Sequence, residues 1–303
     1  MMLKKIFQTC GSGNGPIITT KRLLASSRVK EVVEPNISPV AVDSQLFNDI
    51  KSRVYNNREN IEKIVVRVKQ GDSYKSYLLN KNDSTPSICA KHASVQKLAN
   101  FALAEMSYES GTVEYHSMNA PVSHKCDISF IDINTTNPQW TTIINQAYWL
   151  SCSVLLGAVL KQGVQVNVAS SIVTKTPREL TFAVDINGLK ESDLTTQDLL
   201  DLSRFASREF ISAAKPFEIL NVSDELAKEY GLNNSVSLCK LDDFVTIVPG
   251  PTIAHTGQIG RFSIVGKKQI KNSLRLSGVS VPSSQPVSSQ NWDLIRTEAG
   301  KAT

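Results

Sequence analysis

Apolar positions along this chain recur with two different periods, and the change divides it in two. In Ile61–Ile133 the strand period comes first. Lys63–Lys69, KIVVRVK, is β-branched and alternating, Gln70-Gly71-Asp72 reads as a turn, and Ser73–Leu79 returns as a second strand. Thr85-Pro86-Ser87 then opens a helix to about His92, with proline in its tolerated first turn. Cys126–Ile133, CDISFIDI, alternates again as a closing strand. From Asn137 to Val265 helical spacing takes over. Gln146–Lys161 is apolar nearly all round, which predicts a buried helix. Gly157 in its interior is about 1 kcal/mol worse than alanine there, which points to a close backbone contact.

The rest of this second unit alternates strand and helix. Leu180–Ile186 reads as a strand before the Asn187-Gly188 turn, and Thr195–Phe210 as an amphipathic helix turning Leu199, Leu202, Phe205 or Ala206, and Phe210 inward. Phe217–Val222 is a further strand, and Ser223 caps a short helix to Tyr230. Phe244–Val248 and Arg261–Val265 are late strands, and the stiff Pro249-Gly250-Pro251 loop follows the first of them. Ahead of both units, Asp43–Arg58 reads as a helix capped by Asp43 or Ser44, with Leu46, Phe47, Ile50 and Val54 on one face. That face either packs on its own domain or lies on a partner. The pattern is α+β in class, with extended N- and C-terminal segments. Residues 1–30 form a basic arm, 31–60 a linker and helix, 61–135 a first domain, 136–275 a second, and 276–303 an extended tail of low complexity.

Charge changes this picture at two places. Residues 1–30 carry Lys4, Lys5, Lys21, Arg22, Arg28 and Lys30 and no acid. Removing those six from the 33 basic residues leaves 27 against 28 acidic ones, so the +5 of the whole chain becomes −1. A basic, Ser/Thr-rich, acid-free start is the composition of a mitochondrial transit peptide. The second place is Phe244–Trp292, which contains no Asp or Glu but does contain Arg261, Lys267, Lys268, Lys271 and Arg275. Such a stretch makes a local positive field, and we read those five residues as an RNA-facing edge. The longest apolar run, around Val154–Leu160, is short of the roughly 20 residues that span a bilayer, so no membrane partner is expected. Five scattered cysteines with no C-x-x-C pair give neither a disulfide framework nor a zinc ribbon. His124 and Cys126, two apart at a strand start, point the same way but make only two ligands, so no metal site is expected.

Two segments carry a resemblance. Ala147–Gln162, AYWLSCSVLLGAVLKQ, and Leu241–Gly257, LDDFVTIVPGPTIAHTG, together resemble the editing domain of threonyl-tRNA synthetase, with its H-x-x-x-H helix and C-x-G-P-H loop. In that alignment the histidines fall on Leu150 and Val154, and the loop cysteine and histidine on Val248 and Thr252. None of these supplies a general base, thiolate or imidazole, so the resemblance implies a frame whose catalytic residues are lost. The only nearby replacements are Cys152, which helical geometry turns off the shared face, and His255, read as a solvated loop residue. The TPSICAKH stretch, with the strands around it, resembles the ubiquitin-like TGS domain that precedes editing in the synthetase. Residues 45–295 also resemble the family of mitochondrial large-subunit ribosomal proteins numbered thirty-nine in their series. The carrying residues are QAYWLSCSVLLGAVL, the Gly-Pro segment, and LRLSGVSVP followed by Trp292. That resemblance implies an inert scaffold in the mitochondrial ribosome, with ribosomal proteins as main partners and ribosomal RNA along one basic edge. It implies no cofactor, metal or small-molecule substrate. The near-neutral chain beyond residue 30 points to a peripheral subunit, with Asp43–Arg58 and Ser277–Thr303 as protein-contacting extensions. The alternatives are a free-standing hydrolase of mischarged tRNA and an RNA-binding module outside the ribosome.

Overall fold

The structure, a computed structural model, describes residues 42–56, 61–93, 95–164, 168–172, 181–232, 234–270 and 272–301. The basic arm and Lys271 lie outside the described residues. Three sheets and six α-helices make up the described part, a mixed α+β architecture.

The first sheet has the order β2-β1-β5-β3-β4. Its strands are β1 (Lys63–Gln70), β2 (Ser73–Asn80), β3 (Phe101–Ser107), β4 (Val113–Ser117) and β5 (Asp127–Asp132), and α2 (Pro86–Ala93) follows β2. The β1–β5 pair is parallel and the other pairs are antiparallel. Burial along β1 alternates strictly, so Ile64, Val66 and Val68 join Cys89, Ala90, Met106 and Ile128 in a core of their own. Strand β3 was hidden in the sequence because Ala102, Leu103 and Ala104 are all fully buried. With both faces covered there is no alternation to read, and alanine is a weak strand former. The His124–Cys126 reading needs correcting: β5 starts at Asp127, His124 is exposed and Cys126 is buried.

The second unit is organised by α3 (Pro138–Gly163). It starts eight residues before the expected Gln146, where the Asn137 side chain accepts from the Gln139 N–H at 3.0 Å and Pro138 takes the first turn. By length and composition α3 could cross a membrane, which the short-run reading understated, but 72% of its most apolar stretch is buried inside this fold. Around it lie a three-stranded sheet, β10-β9-β8, and a four-stranded sheet, β11-β12-β7-β6. The strands are β6 (Val168–Ile172), β7 (Phe182–Asn187), β8 (Glu218–Val222), β9 (Val236–Leu241), β10 (Phe244–Val248), β11 (Ile259–Ile270) and β12 (Ser273–Pro282). Helices α4 (Thr196–Ala206) and α5 (Asp224–Glu229) are each capped by the expected residue type, Thr195 and Ser223. A Cβ on Gly157 would lie 2.4 Å from the Phe244 ring, so the close contact inferred from sequence is real.

Both presumed extensions fold back on the chain. Helix α1 (Ser44–Asn56) buries Phe47 and Ile50 against Leu220, Leu238 and Val245 of the three-stranded sheet. Its apolar face is therefore occupied by its own domain. The stretch read as an extended tail is partly a central strand: β12 pairs with β11 on one side and β7 on the other, to Pro282. Its small residues are a packing requirement, since a Cβ on Gly278 would sit 2.4 Å from the Phe182 ring. After β12 the chain forms α6 (Ser289–Lys301), anchored by buried Trp292.

Candidate functional site

The four positions matching the synthetase site are all interior. Leu150 is 8% exposed, Val248 4%, and Val154 and Thr252 are fully buried. Leu150, Val154 and Val248 belong to one continuous core with Leu155, Phe244 and Ile253. The loop and helix are brought together as the resemblance implied, but by serines that it did not single out.

Three consecutive loop amides are each satisfied by a side chain from a different element. The Thr252 N–H donates to Ser117 Oγ of β4 at 2.8 Å, and the Ile253 N–H to Ser151 Oγ of α3 at 2.9 Å. The Ala254 N–H donates to Gln258 Oε1 at 3.1 Å. Ser151 also donates to the Ala147 carbonyl at 2.7 Å, and Gln258 Nε2 donates to the carbonyls of Ala99 and Phe101. Asn119 Nδ2 clamps the same loop through the carbonyls of Phe217 and Ala254. Thr256 Oγ1 donates to the Phe210 carbonyl at 2.6 Å. A row of three free N–H groups would be an anion or oxyanion cradle. Here each donor is already occupied inside the fold, which is what buried amides require. The signal for these clamps was local: small or amide polar residues in otherwise apolar segments.

The replacement nucleophile and base stand apart from any catalytic arrangement. Cys152 is fully buried, and burial pushes its thiol up to about 12 against weak support from Ser280 and Tyr148. A thiol in that state is not a nucleophile near neutral pH. His255 is not a solvated loop residue, as read from sequence. It is half-buried, and desolvation lowers its pKa, opposed by a hydrogen bond with the Ala99 backbone. Its Nδ1 is buried without a partner. Elsewhere, burial holds Cys89 at about 11 and Cys126 at about 12. His116, which has no sequence-visible partner, bonds Glu114 at 2.9 Å and holds that carboxyl below its usual range. An open groove of about 570 Å³ borders the clamps, lined by His116, Ser117, Asn221, Ser237, Val248 and Gly250.

The basic edge is less uniform in space than in sequence. Arg275 makes a bidentate pair with Asp185 of β7, at 2.7 and 2.8 Å, and that pairing raises its pKa. The acid is absent from the neighbouring sequence but sits on the neighbouring strand. Lys267 donates to the carbonyls of Glu191 and Leu194, at 2.6 and 2.7 Å. Arg261 reaches Ser289 at 3.5 Å, and Lys268 is exposed.

No protein-family model matches the chain. The large ribosomal subunit protein mL39 of Drosophila melanogaster is 24% identical over 287 residues, covering 86% of this chain and 84% of that protein. The mitochondrial threonine–tRNA ligases of Rattus norvegicus and Mus musculus are 24% identical over 208 and 209 residues. Those matches take in 61% of this chain but only 27% of each ligase. The chain is thus similar along most of its length to a large-subunit ribosomal protein, and along a shorter stretch to the mitochondrial synthetase, as both resemblances in its sequence implied.

Proposed function

We propose that this chain is a structural constituent of the large subunit of the mitochondrial ribosome and supports translation as a scaffold of synthetase origin. The observation that carries the reading is the match to mL39 over 86% of the chain, joined to four synthetase-like positions that are buried, three of them apolar. In this reading residues 61–135 are a TGS-like unit. The editing-like unit begins near residue 136 and extends past 275, because β12 and α6 complete it. The scaffold has no hydrolytic role, since Leu150, Val154, Val248 and Thr252 replace every group the chemistry needs. It resides in the mitochondrial matrix and is held mainly by neighbouring ribosomal proteins. RNA contact along the original edge falls to Lys268 and Arg261, because Lys267 and Arg275 are engaged internally.

Sedimentation of mitochondrial lysate through a sucrose gradient tests this. The chain is expected to travel with the large subunit at moderate salt. If it stays at the top while the large subunit moves, the reading is wrong.

A further inference from the structure

Strand β11 is an edge of its sheet, and edges left open pair with other chains. Here the edge is covered from two sides. Ser203 Oγ of α4 accepts the Ile264 N–H at 2.9 Å, and α6 lies over the same strand with Trp292 buried. Between the two helices a groove of about 540 Å³ remains. Three guanidinium groups line it, those of Arg204, Arg208 and Arg296, and no carboxylate does. Buried Phe262 and Trp292 form its apolar wall.

The three arginines keep donors in reserve. A guanidinium has five N–H groups in a rigid fork. Arg204 meets Asp201 Oδ1 at 3.0 Å, and Arg296 meets Asp293 Oδ1 at 3.4 Å. Arg296 Nε is buried with no hydrogen-bond partner. Arg208 is exposed and takes part in no ion pair or hydrogen bond among the described residues. It sits on the π-turn Ser207–Ile211 that continues α4, four residues after Arg204 and so on a similar face. A cleft of one charge sign beside a low-dielectric wall concentrates its field outward.

We infer that the groove between α4 and α6 is a phosphate-binding site for RNA, with Arg208 as its free anchor and Arg204 and Arg296 as flanking forks. Guanidinium forks match phosphate oxygens two at a time, which a lysine edge does not. The choice of RNA as the polyanion rests on the ribosomal reading; the site itself rests on the three arginines. The groove adds an RNA contact to that of the exposed Lys268.

The test uses the purified full chain and a fluorescein-labelled 20-nucleotide oligouridylate, followed by polarisation across a salt series. Arg208→Glu is expected to weaken binding about tenfold and to lower the log–log salt slope by about 1, as for a lost phosphate contact. Arg208→Lys should keep most of the affinity, and Lys268→Glu should cost less than threefold. Because the Arg208 side chain has no partner among the described residues, the variant's thermal midpoint should match wild type, so a folding defect is not confounded with a binding one. Unaltered RNA affinity in Arg208→Glu overturns the proposal. Polyglutamate displacing the probe more effectively than unlabelled RNA also overturns it, in favour of an acidic protein segment. An Arg208→Glu chain that sediments with the large subunit and binds RNA like wild type defeats the groove alone. A wild-type chain that binds RNA through Arg208 but never sediments with the large subunit defeats the ribosomal reading alone.

Discussion

The loop at residues 249–258 and the groove between α4 and α6 both gather polar groups against α/β elements, yet they treat them in opposite ways. In the loop, the amides of Thr252, Ile253 and Ala254 find acceptors on Ser117, Ser151 and Gln258. In the groove, the Arg208 side chain and the Nε of Arg296 have no hydrogen-bond partner among the described residues. A catalytic site must leave polar groups available to a substrate, and a scaffold must satisfy them internally. By that criterion the loop around Thr252 resembles a scaffold more than a catalytic site. In the groove beside the C-terminal helix, three guanidinium groups stay open to contact.

The hardest test of this contrast is to restore the lost chemistry. Val154→His places an imidazole where nothing is exposed and no partner waits, which should cost roughly 3 kcal/mol or more in urea unfolding. Unchanged stability would mean that the pocket still opens on space or water. A smaller loss follows from removing one clamp. Ser151→Ala leaves the Ile253 N–H buried and unpaired, at about 1–3 kcal/mol, and the same measurement checks it. Arg208→Glu should stay within about 0.5 kcal/mol of wild type, as surface changes without native partners do. Equal losses for Ser151→Ala and Arg208→Glu would erase the distinction between the two regions.

The legible parts of the fold were those with a clear period or cap. Ile64, Val66 and Val68 alternate, α3 is continuously apolar, and Thr195 and Ser223 sit where helices begin. The close contact at Gly157 could be inferred because nothing else explains glycine in a buried helix. What escaped was small and doubly covered. Ala102 and Ala104 in β3, and Ser277, Gly278 and Ser280 in β12, look like weak or disordered sequence because large neighbours such as Phe182 fill their space. The candidate site divided in the same way. Its emptied positions could be read residue by residue from the resemblance. The bonds of Ser117 to Thr252 and of Gln258 to Ala99 and Phe101 could not, since they join segments more than a hundred residues apart. The basic edge misled for a related reason: Arg275 is far from any acid along the chain but lies across the sheet from Asp185.

We propose that the synthetase-like positions offer no catalytic group to a substrate. Its most direct test is deacylation of seryl-tRNA by the purified full chain, with the Cys152→Ala variant alongside. Release of serine at the rate of buffer alone is expected for both proteins. Turnover by the wild type that Cys152→Ala abolishes would contradict it.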